Sequence, residues 1–260
     1  MAKIITVTNQ KGGVGKTSIT AAFIAELHRR GARVLGVDID PQGNLGFSLG
    51  LNIEEGFSLY DVLTGKCSIT EAIVHTEHGD ILPTDIMLSA FASTDSAPHQ
   101  SRDTMLALQL DIIKDNYDYI FIDTPPSLNI LTINAYVASS GIVIPMKAEV
   151  LSLVGISQIH DTVEAIQKSS NPNLKVYGIV MNEFNPRVTS HREILEMAEE
   201  LAAQMGTQVF STKIRRSVDV ANAPAHGQSV VTYRPRSNPA MDLRKLVDAV
   251  VGAAFPRAKR

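Results

Sequence analysis

Lys11-Gly12-Gly13-Val14-Gly15-Lys16-Thr17-Ser18 follows the apolar run Ile4-Ile5-Thr6-Val7-Thr8. A β-branched run, a glycine-rich turn and the helix-compatible stretch 17–30 are the context a phosphate-binding loop needs. Glycines let backbone N–H groups converge on an anion with no Cβ in the way. The helix behind them points its positive dipole end at the same anion. In such a loop Lys16 reaches the β- and γ-phosphates of a nucleotide, and the Thr17 hydroxyl binds Mg2+. Gly12, Gly13, Val14, Gly15 and Ser18 complete the cradle. The loop departs from the usual G-x-x-x-x-G-K-[ST] pattern. Gln10 stands in place of the first glycine, and Lys11 is an extra cation at the leading edge.

Outward from the loop, short apolar runs alternate with helical patterns. Strands are expected at 4–8, 34–37, 81–82, 119–122, 142–145 and 176–180, with a weaker one at 208–210. Helices are expected at 17–30, 58–63, 84–92, 103–116, 130–138, 154–169, 190–205, 218–225 and 238–254. Nearly continuous apolar strands are buried on both faces. The pattern therefore predicts an α/β fold: one domain over 1–260, a mostly parallel twisted sheet and helices on both faces. Binding belongs at the carboxyl ends of such strands. Polar residues crowd 93–102, which reads as a loop.

Two more strand ends carry carboxylates. Val34–Val37 leads into Asp38-Ile39-Asp40-Pro41-Gln42-Gly43-Asn44, where Pro41 stops the strand. Asp40 is placed either to orient a water attacking the γ-phosphate or to hold Mg2+ through water. Capping of the next turn is the plainer alternative for both aspartates. Tyr119-Ile120-Phe121-Ile122 ends in Asp123, the arrangement of a buried strand whose terminal carboxylate serves the metal's water shell. Asn182 ends another strand, at a position suited to the edge of an adenine.

The length of 260 residues accommodates one large α/β domain or two small ones, and with no Pro- or Gly-rich linker dividing it one domain is expected. The lone Cys67 excludes a disulfide framework, and one chain alone cannot build a cysteine-bound metal site or cluster. There is no apolar run near ~20 residues, so no transmembrane helix is expected, and no signal-peptide pattern is read. A reducing cytoplasmic setting fits. Net charge is −3, but its distribution is uneven. Residues 1–212 carry 14 Lys/Arg against 24 Asp/Glu, a balance of −10; residues 213–260 carry 10 against 3, a balance of +7. A basic end on an acidic body points either to a polyanion partner or to a solvated basic face.

The K-G-G-x-G-K-[ST] loop, the string DIDPQGN at 38–44 and FIDTPPS at 121–127 resemble the ParA/MinD family of ATPases with a deviant Walker A motif. The resemblance covers nearly the whole chain and implies ATP and Mg2+ as cofactors. It implies that Lys11 reaches in trans into a partner's nucleotide site, in an ATP-dependent homodimer. It makes Lys16 and Asp40 catalytic, with Asp40 the hydrolytic carboxylate, and gives Asp38, Asp123 and Thr17 to the metal. The loop 123–127 becomes a switch that senses the γ-phosphate. Base contacts are implied at Asn182 and around Ala223-Pro224.

The resemblance extends through Ile214-Arg215-Arg216 to Ala223-Pro224-Ala225-His226-Gly227. There Arg216, flanked by Lys213 and Arg215, is implied in nonspecific binding of double-stranded DNA. Arg215 replaces the family's proline and adds charge, whereas Asp219 subtracts it. Arg234, Arg236, Arg244, Lys245 and the tail 257–260 are candidates to widen the patch. No base-reading module precedes the loop, so no operator specificity is expected. The ParA-like reading is an ATPase that segregates chromosomes or plasmids, stimulated by a ParB-like partner and associated with the nucleoid. The alternative is a MinD-like or cargo-positioning ATPase on a membrane or protein scaffold. The last helix is amphipathic, with Met241, Leu243, Leu246, Val247, Val250 and Val251 on one stripe, and is expected to pack on the body.

Overall fold

Seven strands build one sheet in the computed structural model, which describes residues 1–51, 56–93 and 102–254. They are β1 (Lys3–Val7), β2 (Val34–Asp38), β3 (Val74–Thr76), β4 (Gly79–Leu82), β5 (Tyr119–Asp123), β6 (Gly141–Lys147) and β7 (Lys175–Asn182). Their spatial order is β3-β4-β2-β5-β1-β6-β7. All neighbours run parallel except β3, which pairs antiparallel with β4 at the edge.

Period-two alternation sorts side chains into two cores. Ile120, Ile122, Ile142, Ile144 and Met146 face one core, and Phe121 and Val143 face the other. The first core is covered by helices that include Met105–Ile113, Ile130–Ala138, Val150–Ser169 and Thr189–Gln204. Lys16–Arg29 and Asn238–Ala254 cover the second. Helices thus lie on both faces of a mostly parallel sheet, as the alternation predicted. Gly36 lets the Lys16–Arg29 helix lie close to β2: a Cβ there would stand 2.5 Å from Ile24 Cδ1 and 2.9 Å from Ile81 Cδ1.

The C-terminal helix buries Leu243, Leu246, Val247 and Val250 in the second core, while Met241 at its start is exposed. Its charged side also grips the nucleotide-loop helix. Arg244 donates to the buried Glu26, and Arg30 pairs with Asp248. No helix among the described residues is long and apolar enough to cross a membrane.

Several boundaries differ from expectation. The segment 208–210 forms a single bridge, Ile179 to Val209, rather than a strand. Phe210 turns into the second core instead of extending the sheet. The edge strand β3 was missed because Val74-His75-Thr76 is short, polar and partly exposed. The helix expected at 84–92 forms at Leu88–Ser93, and the one expected from 154 starts at Val150. The segment 218–225 divides into Val218–Asn222 and a 3-10 turn, Ala223–His226, with Pro224 in its first turn. Residues 94–101 of the expected loop and the basic tail 257–260 lie outside the described residues.

Candidate functional site

The carboxyl ends of β1, β2, β5, β6 and β7 meet at one edge of the sheet. They frame a cavity of about 1000 Å3 lined by Gly12, Gly13, Gly15, Lys16, Thr17 and Ser18 from the loop and by Asp40 and Asn182 from neighbouring strand ends. Arg215 and Arg216 also line it.

The loop's conformation depends on Gly15. Its φ is +98°, and a Cβ would come within 2.3 Å of Asn182 Nδ2. With only hydrogens there, Asn182 Nδ2 donates to Val14 O at 2.8 Å and ties β7 to the loop. The helix starts at Lys16 with Ile19 N bonded to Gly15 O, so its first N–H groups face the cavity. Lys16 is buried and donates to Lys11 O at 3.2 Å. Burial pulls its ammonium below the usual lysine range, against the opposing pull of Asp123 and Asp40. A buried cation that lowers its own pKa is improved by an arriving polyanion.

Asp38 and Asp123 are register partners across β2 and β5, and both are fully buried. Asp123 accepts from Thr17 Oγ1 at 2.6 Å and from Thr20 Oγ1 at 3.4 Å. Burial pushes its carboxyl up to about 7; Thr17 and Lys16 pull against this, and Asp40 adds to it. Asp38 is raised by burial and by Asp123. Its two oxygens accept from Asp40 N at 3.1 Å and Leu45 N at 2.9 Å. Asp38 therefore organises the 38–45 turn. Asp40 accepts from Gln42 N at 3.1 Å and faces the cavity.

Buried carboxylates short of positive charge, beside a hydroxyl, form an all-oxygen donor set that suits a hard divalent cation such as Mg2+. Thr17 and Asp123 are the residues that fit it; Asp38, the third residue that the resemblance gives to the metal, has both oxygens on backbone N–H groups. No group of three His, Cys, Asp or Glu forms a metal cage among the described residues.

Lys11 does not line the cavity. Its ammonium pairs with Glu149, just past β6. Three hydrophobic side chains next to this pair, Val150, Leu151 and Val154, are exposed. Gln10, in the position of the missing glycine, has a buried Nε2 with no partner among the described residues.

The basic segment divides by residue. Arg215 is compensated within the chain: its Nε and Nη2 donate to the buried Asp242 at 2.8 and 2.7 Å. The charge that stands in place of the family's proline is thus balanced by the last helix. Arg216 is 85% exposed and faces Glu183 at 3.8 Å. Lys213 is half-buried. Asp219 accepts from Ser217 Oγ and its N–H bonds that same hydroxyl, so it serves the cap of the Val218–Asn222 helix. Pro224 does not line the large cavity; it borders a separate small recess beside Ser18 and Ala21. Glu149 and Glu183 were not singled out from sequence, although each follows a strand end within two residues.

A family model described as an AAA domain matches residues 2–176. The sporulation initiation inhibitor protein Soj of Bacillus subtilis is 40% identical over 257 residues, covering 96% of this chain and 99% of that protein. The chromosome partitioning protein ParA of Caulobacter vibrioides is 34% identical, covering 89% of this chain and 87% of that protein. A crystal structure of cobyrinic acid a,c-diamide synthase from Mycobacterium smegmatis, with bound ADP and magnesium, superposes with a TM-score of 0.81. It is 31% identical and covers 97% of this chain and 95% of its own. Loop, carboxylates and overall likeness agree, and the chain belongs to the Soj/ParA family of phosphate-binding-loop ATPases.

Proposed function

We propose that the protein is an ATP-dependent dimerising switch. It binds double-stranded DNA nonspecifically and hydrolyses ATP with Mg2+ to drive chromosome or plasmid segregation, with a ParB-like partner that stimulates turnover. The observation that carries the reading is one cavity lined both by the loop of Lys16 and by the exposed Arg216.

The chain's residues divide the work. Backbone N–H groups of residues 12–17 and the Lys16 ammonium hold the β- and γ-phosphates. Thr17 and Asp123 hold Mg2+, which when bound neutralises charge on the β- and γ-oxygens. Asp40 orients the attacking water and accepts its proton. Asn182 supports the loop through Val14 and stands at the base end. Lys11 leaves Glu149 to reach a second copy's nucleotide. Charge delivered in trans at the moment of phosphoryl transfer stabilises the transition state as an arginine finger does. The exposed Val150, Leu151 and Val154 beside Glu149 supply apolar surface for that closure.

The test is size exclusion of Asp40→Ala with ATP, with and without duplex DNA of mixed sequence. A nucleotide-trapped dimer that carries DNA, and releases it as salt rises, supports the reading. A monomer with ATP, or a dimer that ignores DNA and sediments with liposomes, favours the scaffold alternative. ATP cleavage coupled to amide formation on a carboxylic acid would instead make it a ligase.

A further inference from the structure

Lys147, Glu183 and Arg216 form a short chain of alternating charge, of which Glu183 and Arg216 line the nucleotide cavity. Lys147 Nζ lies 2.8 Å from Glu183 Oε1, and Arg216 Nε lies 3.8 Å from Glu183 Oε2. One carboxylate thus holds a different cation on each oxygen.

Glu183 is held in place from both sides. The preceding Asn182 donates to Val14 in the loop, and the N–H of the following Phe184 donates to Ile214 O at 2.9 Å. Between these anchors Glu183 takes φ +53°, the one positive φ at a non-glycine residue among the described residues. Such a conformation persists only where the surroundings over-determine it. It aims the carboxylate at the segment bearing Arg216. On its other side Arg216 lines a groove of about 700 Å3 together with Phe184, Arg187, Ser217 and Arg236. Arg216 is therefore shared by the nucleotide cavity and an arginine-lined groove, as Arg215 and Ser217 are. Of the two arginines, Arg215 is committed to Asp242, and Glu183 is the anion within reach of Arg216.

We propose that Glu183 is a built-in competitor for the DNA phosphate at Arg216: a positioning residue that sets how much of that arginine's charge is available to duplex. This rests on the DNA-binding reading above. A backbone phosphate must displace the carboxylate to engage Arg216. The energy of that displacement is subtracted from DNA affinity without changing sequence preference. Lys147 holds Glu183 from the other side and limits how tightly it grips the arginine.

The experiment is fluorescence anisotropy of labelled mixed-sequence duplex, titrated in salt, with the full chain and ATP. Glu183→Gln is expected to tighten binding about two- to fivefold, the size expected for an exposed ion pair, and to steepen the salt slope toward one more phosphate contact. Glu183→Asn, a residue at ease in left-handed backbone, is the second variant and is expected to do the same. In an Arg216→Ala background both gains are expected to vanish. Glu196→Gln removes a charge from an exposed helix face and is the net-charge control. Unchanged affinity in both Glu183 variants overturns the proposal. So does a gain matched by Glu196→Gln, or one that survives without Arg216, which would assign it to the released Lys147. If the wild-type chain binds no duplex at any salt, the DNA reading fails and takes this inference with it. If wild-type binds and Arg216→Ala does not, the reading stands and the Glu183 variants decide the inference alone.

Discussion

The Lys11 ammonium is bonded in cis to the Glu149 carboxylate. The lysine that the proposed dimer would send into a neighbouring molecule is here engaged within its own chain. Glu149 is held below the usual glutamate range first by that bond, against a smaller burial effect, and further by Lys147 and His191. Both side chains are partly exposed, so the pair is a weak hold rather than a lock. Glu149→Gln is expected to move ATP-dependent dimerisation to lower protein concentration by about threefold, the size expected for a partly exposed ion pair. Phosphate release measured across protein concentration checks it. An unchanged midpoint would mean that Lys11 leaves Glu149 at no cost.

Lys16→Ala removes the buried cation from the loop while Lys11 stays where it is. Charge-assisted bonds to phosphate contribute about 1.5–3 kcal/mol each, so nucleotide affinity is expected to fall about 100-fold. Fluorescent-nucleotide titration reads this directly. The unliganded variant is expected to melt no lower than wild-type, because a buried lysine below its usual range contributes a desolvation cost that alanine lacks.

Glu26 gives the chain an acid-sensitive joint. Burial pushes its carboxyl up, but bonds from Arg29, Arg30 and Arg244 outweigh burial and bring it down to about 2. Its folded pKa lies below its unfolded one, so its stabilisation is full above about pH 4.5 and is lost as pH falls toward 2. Glu26→Gln is expected to cost about 3 kcal/mol at pH 7, because three guanidinium groups lose a shared buried anion. The cost is expected to shrink between pH 4.5 and 2.5. Urea midpoints across that range check the sign, and a cost that grows on acidification would contradict it.

The strand ends that carry the site were legible because chemistry and punctuation coincide there. Asp38 and Asp123 close apolar runs, and Gly15-Lys16-Thr17 opens a helix. Partnerships across the sheet were not legible. Asp242 lies 27 positions from Arg215, and nothing in its helical pattern marks it as the anion that takes that charge. Glu149 and Glu183 are polar residues just past strand ends, where solvated turn residues are also common. Only the parallel order β1-β6-β7 sets them beside the loop. Asp38 stands out in the sequence as a strand-end carboxylate, but its bonds to Asp40 N and Leu45 N depend on the turn's three-dimensional course.

Gly15→Ala separates two costs at one position. Backbone at φ +98° disfavours any L side chain, and the new methyl would also meet Asn182 Nδ2 at 2.3 Å. The first cost is intrinsic and amounts to about 1–3 kcal/mol. The second depends on a side chain that moves, since Asn182 is tied to the loop by one bond to Val14 O. Gly15→Ala is therefore expected to lower the melting temperature and to abolish nucleotide binding as the loop shifts. Adding Asn182→Ala is expected to recover part of the stability, by removing the clash, and none of the binding, because the backbone strain at 15 remains. Calorimetry of the two single variants and the double variant measures the coupling between these contacting residues. Full recovery of both properties would show that the loop tolerates a side chain at 15, and that the clash alone required glycine there.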